Sequence, residues 1–252
     1  MDERLDELVT ALGDADTATA FTGAGISAAS GVPTFRGEDG IWGGRFDPTD
    51  FEYDRFRADP AGFWADRLEL RAALNVGEVE PNAAHEALAD LERQGLLDGV
   101  VTQNTDGLHQ AAGSDRVVEL HGNGNRVVCP SCDRRQAAEP VVERVRNGER
   151  PPTCTNCGGV LKPDVTLFGE SLPQLALNEA RGLARDSDVF LAIGSSLTVQ
   201  PAAGLPSRAA RDGTLAIVNL DATPYDDEAA FVFYEDVVDV LPALAQRALD
   251  RR

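Results

Sequence analysis

The chain has 252 residues and sets 23 Lys+Arg against 42 Asp+Glu, a formal net charge of −19. That length suits one large or two modest domains, and 42% apolar residues punctuated by 24 Gly and 14 Pro exclude a disordered or collagen-like chain. The acidic excess repels a phosphate backbone, so tight nucleic-acid binding is not expected. No apolar run reaches the roughly 18–20 residues of a membrane span. The acidic opening Met1-Asp2-Glu3-Arg4 reads as neither a secretory nor a mitochondrial-type signal, and a cytoplasmic protein is expected. Lys162 is the only lysine, all other basic residues being arginine. An acidic excess with almost no lysine suits a high-salt cytoplasm, where self-repulsion is screened.

Leu5, Leu8, Val9 and Leu12 recur at helical spacing, and Gly13 ends that helix. Thr17 to Thr22 reads as a strand running into Gly23. From Gly31 to about Gly77 the sequence is irregular and aromatic, with a helix expected over Pro60 to Leu74. His85 to Gln94 reads as a helix, Gly99 to Thr102 as a strand, Thr105 to Ala112 as a short helix and Val117 to Leu120 as a strand. A cysteine segment then interrupts the pattern. Val165 to Phe168 reads as a strand, Gln174 to Ala184 as a helix, Val189 to Ile193 as a strand and Leu205 to Arg211 as a helix. Leu215 to Val218 is a further strand, and Val237 to Leu249 closes the chain as a helix. Short apolar strands alternating with helices predict an α/β fold: a doubly wound, Rossmann-like parallel sheet covered on both faces. One domain is expected over 1–252. Its main part would comprise about 1–36, 84–125 and 162–252, with a helical insertion at about 37–83 and a small metal module at about 126–161.

Gly23-Ala24-Gly25-Ile26-Ser27-Ala28 fits G-x-G-x-x-G/A after a strand, as a dinucleotide site at a helix N-terminus requires. A plain tight turn has the same spelling. The acid expected some twenty residues on is missing, but Asn219-Leu220-Asp221 closes a later strand and offers ribose contacts. The pairs Cys129/Cys132 and Cys154/Cys157 form C-x2-C, 21 residues, C-x2-C. Four thiolates at that spacing suit one structural Zn²⁺; disulfides and a redox pair fit a reducing compartment or the second knuckle less well.

His85 reads as a packed structural residue at a helix entry, and His109 as facing the surface or packing locally. His121 instead follows an apolar strand, at the sheet edge where open α/β folds bind ligands, and suits a general base. Gln103, Asn104, Thr105 and Asp106 end another strand there and suit ribose and carboxamide recognition, or simple turn and cap chemistry. Gly194-Ser195-Ser196 offers donors to phosphate at a third strand end.

Taken together these motifs resemble the sirtuin family of NAD-dependent protein deacylases. The resemblance rests on Gly23 to Ser27, Gly31-Val32-Pro33-Thr34-Phe35-Arg36-Gly37, Thr102 to His109, Leu120-His121-Gly122, the four cysteines, Lys162 to Glu170 and Gly194 to Leu197. It implies that NAD is the co-substrate and acetylated protein lysine the substrate, with nicotinamide and O-acetyl-ADP-ribose released. His121 is implied as general base and Asn104 as its catalytic partner, with Ser27 helping to position ribose and water. Asp106 is implied to hold the carboxamide, with Thr34 and Thr105 near it, and Gly23, Ala24, Gly25, Ala28 and Gln103 are implied among the other cofactor contacts. Phe35 and Arg36 are implied to cover the cofactor; Gly194, Ser195, Ser196, Asn219, Asp221, Asp236 and Val237 to reach its adenosine half. The peptide is implied to add as a strand along Val165, Thr166, Phe168 and Gly169.

Four positions depart from the family pattern, Thr34, Thr105, Lys162 and Thr166, where Asp, Ile, Arg and Val are usual. Desuccinylating members carry Phe-Tyr-x-x-Arg where this chain has Phe63-Trp64-Ala65-Asp66-Arg67. Trp64 lacks the phenol, and Arg67 is expected to pair with Asp66 or another acid and face solvent, favouring acetyl groups. Desuccinylation or demalonylation, ADP-ribosyl transfer, and a silent NAD-binding interaction module are the rival readings.

Overall fold

The computed structural model describes residues 2–34, 40–43, 46–75 and 79–251. Along the chain run α1 (Asp2–Asp14), β1 (Ala18–Thr22), α2 (Tyr53–Ala58), α3 (Pro60–Ala73), α4 (Ala83–Arg93), β2 (Gly99–Thr102), α5 (Leu108–Ala112) and β3 (Val117–Glu119). There follow β4 (Gly122–Val128), β5 (Arg135–Ala137), α6 (Glu139–Arg146), β6 (Lys162–Val165), α7 (Gln174–Asp186), β7 (Val189–Ile193), α8 (Leu205–Ala209), β8 (Thr214–Val218), β9 (Phe231–Phe233) and α9 (Val237–Asp250).

A six-stranded parallel sheet in the order β3-β2-β1-β7-β8-β9 forms the main layer. Each central strand is apolar on both faces because helices cover both. In β7, Val189, Leu191 and Ile193 join a core with Leu5, Leu8 and Leu12 of α1, Leu88 of α4 and Leu241 of α9. Phe190 and Ala192 of the same strand face the other way, into a core with Leu177 of α7 and Leu205 of α8. Period-two alternation thus sorts one apolar run into two cores.

A three-stranded antiparallel sheet, β5-β4-β6, forms the second layer. Its Val127, Leu161 and Val165 share one core with Phe51, Phe56, Phe63 and Leu70 of the helical insertion and Val141, Val142 and Val145 of α6. The aromatic and cysteine segments, far apart in sequence, therefore bury each other. The indole of Trp64 seals this contact by donating to the Leu161 carbonyl at 2.8 Å.

Several boundaries differ from the sequence reading. The strand expected over Val165 to Phe168 lies earlier, at β6, and 166–168 continues as an irregular loop whose Thr166 N–H bonds the His121 carbonyl at 2.9 Å. The helix expected from Thr105 starts at Leu108, because Gly107 takes φ +80° and Asp106 accepts from the Leu108 N–H. β4, β5, β9, α2 and α6 were not expected from the pattern; β5 and β9 are three residues each and carry too little periodicity to read. Phe35 and Arg36 lie outside the described residues. No helix among the described residues is long and apolar enough to cross a membrane.

Candidate active site

Chain order reverses between β1 and β7: β2 and β3 continue to one side, β8 and β9 to the other. Crevices at such a switch point are where open α/β sheets bind ligands. Here the loops after β1 and β7 touch, Gly25 N–H donating to the Gly194 carbonyl at 2.8 Å and Gly23 N–H to that of Ile193 at 3.0 Å. A Cβ on residue 23 or 25 would come within 2.7–2.8 Å of Gly194 backbone. The glycines are thus required by loop-against-loop packing, not only by the approach of a phosphate. The segment they open, Ala24–Ser30, is a 3-10 helix rather than an α-helix.

Between the two layers lies a cavity of about 960 Å³, at the upper end of the roughly 300–1,000 Å³ usual for ligand pockets. Gly23, Ala24, Gly25, Ala28, Thr34, Gln103, Asn104, Thr105 and His121 line it. So do Gly194, Ser195, Ser196, Asn219, Asp221, Asp236 and Val237, and from the second layer Val165, Thr166, Phe168 and Gly169. Residues from three strand ends and from the loop after β6 are brought to one hollow.

Ser27 and Asp106 stand one step behind this wall and do not line it. The Ser27 hydroxyl donates to the Asp106 carboxylate at 2.8 Å and accepts from the Asn104 amide at 3.0 Å. Asn104 also donates to the Gly23 carbonyl at 3.1 Å. Asp106 itself accepts from the Ser27 hydroxyl and from the Leu108 N–H. Asp106 and Ser27 fix Asn104, and Asn104 faces the cavity.

His121 follows β3, and its Nδ1 lies 2.8 Å from the Gln103 carbonyl. A carbonyl only accepts, so Nδ1 carries the proton and Nε2 keeps the basic lone pair. Burial holds the imidazole below its usual value, opposed by that hydrogen bond. The Gln103 side chain meanwhile donates to the Ser195 hydroxyl at 2.9 Å, tying the β2 and β7 edges together.

The other two histidines belong to the wall. His85 is fully buried and forms a capping box with Asn82 at the start of α4, as a structural residue should. His109 is buried too, not at the surface: its Nε2 pairs with the Thr22 hydroxyl at 2.9 Å and its ring packs edge-on against His85. Burial lowers both, His85 to about 4 and His109 to about 3.

Arg67 departs from expectation. Asp66 pairs with Arg55 instead, and Arg67 turns into the cavity wall with Leu70 and Leu74. No acid among the described residues pairs with it, and burial beside Arg71 holds its guanidinium down at about 10. Trp42, Phe51, Leu167, Glu170 and Leu172 also line the cavity. Pattern reading missed them because their role depends on how the second layer folds over the first.

In the second layer Cys129, Cys132, Cys154 and Cys157 bring their sulfurs within 4.8 Å of one another. The Cys129–Cys157 and Cys132–Cys154 pairs stand at 3.5 and 3.8 Å. A tetrahedron with metal–sulfur bonds of about 2.3 Å has sulfur–sulfur edges of about 3.8 Å. The four thiols fit a closed tetrahedral site.

A model of the Sir2 family matches residues 23–201. An NAD-dependent protein deacetylase of Haloarcula marismortui is 60% identical over 249 residues, 97% of this chain and 95% of its own length. Among solved structures, one from a study of Sir2 enzymes is 40% identical over the whole of both chains, with a TM-score of 0.87. A Sir2 with p53 peptide and NAD⁺ is 38% identical over 98% of each chain, with a TM-score of 0.85.

The buried histidines make stability pH-dependent. Unfolded imidazoles take up protons near pH 6.5, while folded His85 and His109 resist until about 4 and 3. Stability is therefore complete above pH 6.5 and falls on acidification below it, by up to about 1.4 kcal/mol per pH unit for each imidazole. Urea unfolding of wild type and His109→Gln between pH 7.5 and 5 checks this. The variant should lose stability with acid less steeply; equal slopes would remove His109 from the account.

Proposed function

The chain belongs to the Sir2 family, and from that premise we infer that it is an NAD-dependent protein-lysine deacetylase, releasing nicotinamide and passing the acetyl group to ADP-ribose. The observation that carries this reading is His121: a tautomer fixed by Gln103, with Nε2 basic, inside a cavity that joins the glycine loops to the loop after β6. Bound there, NAD supplies the ADP-ribosyl acceptor. The N–H groups of Gly23 and Gly25 are spent on Ile193 and Gly194, so beside these glycines it is the hydroxyls of Ser195 and Ser196 that suit its phosphates, and Asn219 with Asp221 suits the adenosine ribose. His121 takes a proton from a ribose hydroxyl at Nε2, while Asn104, held by Ser27, orients that ribose.

The acetyl-lysine peptide lies as an added strand along the loop after β6. Between Thr166 and Phe168, the N–H of Thr166 is given to His121, both groups of Leu167 bond Glu170, and the Phe168 carbonyl accepts from Tyr53. The Thr166 carbonyl, taken by no backbone hydrogen bond among the described residues, is left for the peptide, while Phe168 is held in a parallel bridge to Glu52. The exposed ring of Phe168 offers an apolar face to the lysine stem. Cys129, Cys132, Cys154 and Cys157 would hold a structural Zn²⁺ that would fasten the loop after β4 to the loop carrying Cys154, with every position filled by protein. Reduced thiols fit a cytoplasmic setting.

Arg67 supports a second reading for acyl choice. An unpaired, half-buried guanidinium is suited to a charge-assisted, bidentate bond with a carboxylate, so acyl groups ending in a carboxylate gain an anchor that acetyl does not use. Trp64 contributes nothing to it, its N–H being spent on Leu161.

Mass spectrometry of the wild type with NAD and an acetyl-lysine peptide should find nicotinamide and O-acetyl-ADP-ribose; ADP-ribosylated protein instead would favour the transferase rival, and no NAD turnover the silent module. His121→Ala should lower kcat by about 10²–10⁴-fold with ADP-ribose binding retained, and the acid limb of the wild-type profile should fall below pH 6.5. Metal analysis should find one zinc per chain. Stripping it with a strong chelator, or Cys154→Ser, should lower Tm as well as activity; an unchanged Tm would count against the site. With paired acetyl- and succinyl-lysine peptides, Arg67→Met should cost the succinyl kcat/KM at least tenfold more than the acetyl. Equal losses would return Arg67 to a packing role.

A further inference from the structure

Lys162 lies on β6, beneath the loop that the peptide is proposed to use, and its side chain is almost wholly buried. Its Nζ donates to the Val165 carbonyl at 2.6 Å and to the Glu170 carboxylate at 2.8 Å. The same Glu170 oxygen accepts from the Leu167 N–H at 2.7 Å, and the Glu170 N–H returns to the Leu167 carbonyl at 3.0 Å. One ammonium thus closes the loop from beneath, joining its first residue to its last. It does not line the cavity.

Burying such a pair is a poor way to gain stability, since an apolar pair of similar volume usually does as well or better. What a buried charge does supply is a single arrangement, because any other leaves it unpaired. The surroundings sharpen this: Arg67 faces Lys162 with like charge, and Asp164 and Glu170 with opposite charge, so the ammonium has a defined direction to turn. In a chain with one lysine among 23 basic residues, that lysine is committed here.

We propose that Lys162 is a positioning residue for the acylated peptide: through Val165 and Glu170 it sets the loop 165–170 and so presents the Thr166 carbonyl to the incoming strand. The same loop bonds the His121 carbonyl through Thr166, so its placement also fixes the peptide relative to the base. The proposal rests on the peptide-binding reading above.

Three variants test it: Lys162→Met, Lys162→Arg and the charge-free double variant Lys162→Met/Glu170→Leu, which keeps the protein folded should an unpaired Glu170 prove too costly. Hydrogen–deuterium exchange of 163–170 in the substrate-free chain reads the loop directly and owes nothing to the assigned substrate. Exchange there should quicken at least tenfold in Lys162→Met and in the double variant, and stay near wild type in Lys162→Arg. In steady state the peptide KM should rise at least tenfold in Lys162→Met and in the double variant, with ADP-ribose affinity in Lys162→Met within about twofold of wild type, and Lys162→Arg should restore the KM. A double variant with wild-type Tm, loop exchange and peptide KM would overturn the proposal. Quickened exchange in a chain whose wild type fails to deacetylate would uphold the loop's dependence on Lys162 and overturn the peptide-binding reading instead.

Discussion

At the junction of β1 and β7 the backbone of Gly194 occupies the space where residues 23 and 25 would otherwise carry a Cβ. Gly194 itself, at φ +56°, would drive a Cβ to within 2.4 Å of the Ile26 nitrogen. These contacts let two strand-end loops dock directly, and the docking opens the cavity on their outer side. Gly25 N–H to Gly194 carbonyl is the bond that holds them. A side chain at any of the three positions would part the loops, moving Ser195 away from Gln103 and the Gln103 carbonyl away from His121. The tautomer of the base depends, at two removes, on the absence of three methyl groups.

From that junction outward the site is a chain of single hydrogen bonds between backbone and side chain. Gln103 holds Ser195 with its side chain and His121 with its carbonyl. His121 holds Thr166 with its own carbonyl, and Thr166 begins the loop closed by Lys162 and Glu170. Behind it a second line runs from His109 through Thr22 and Thr102 to the Asn104 N–H, and from His85 through Ser27 to the Asn104 amide. Asn104 is fixed on its backbone by Thr102 and on its side chain by Ser27 and the Gly23 carbonyl. Burial of the two imidazoles keeps them neutral and able to serve in these lines.

The main sheet was readable because each of its longer strands announces itself as an apolar run bounded by glycine or a polar strand end: Val189 to Ile193 ends at Gly194, Leu215 to Val218 at Asn219. The cysteine spacing declared the tetrahedral cluster, and His121 was readable from its place after a strand. Other features were invisible for stated reasons. Gly122 to Val128 alternates Asn and Gly with Arg, and forms a strand only because β6 and β5 lie on either side of it. His109 reads as a surface or locally packed residue, and which of the two holds is settled by Thr22, on a distant strand, whose hydroxyl pairs with it in the interior. Arg67 adjoins Asp66 in sequence, yet adjacent residues on a helix face different ways; Asp66 meets Arg55, and Arg67 turns inward.

That inward turn bears on what the net charge of −19 can and cannot decide. The acids that make up the excess are mostly exposed, and at 1 M salt their field decays within about 3 Å. Arg67, Arg71 and Lys162 stand on the inner side of the second layer, desolvated, where salt screens little. Arg71 is answered by Glu139 and Lys162 by Glu170; Arg67 alone of the three is left without a carboxylate among the described residues. The net charge of −19 gives the protein an acidic surface, and Arg67 gives the cavity wall a cation. For a group that enters the pocket the local term governs, since the interaction strengthens as water is removed while the surface term is screened. The charge that a nucleic acid would meet outside and the charge that an acyl end would meet at Arg67 are opposite in sign.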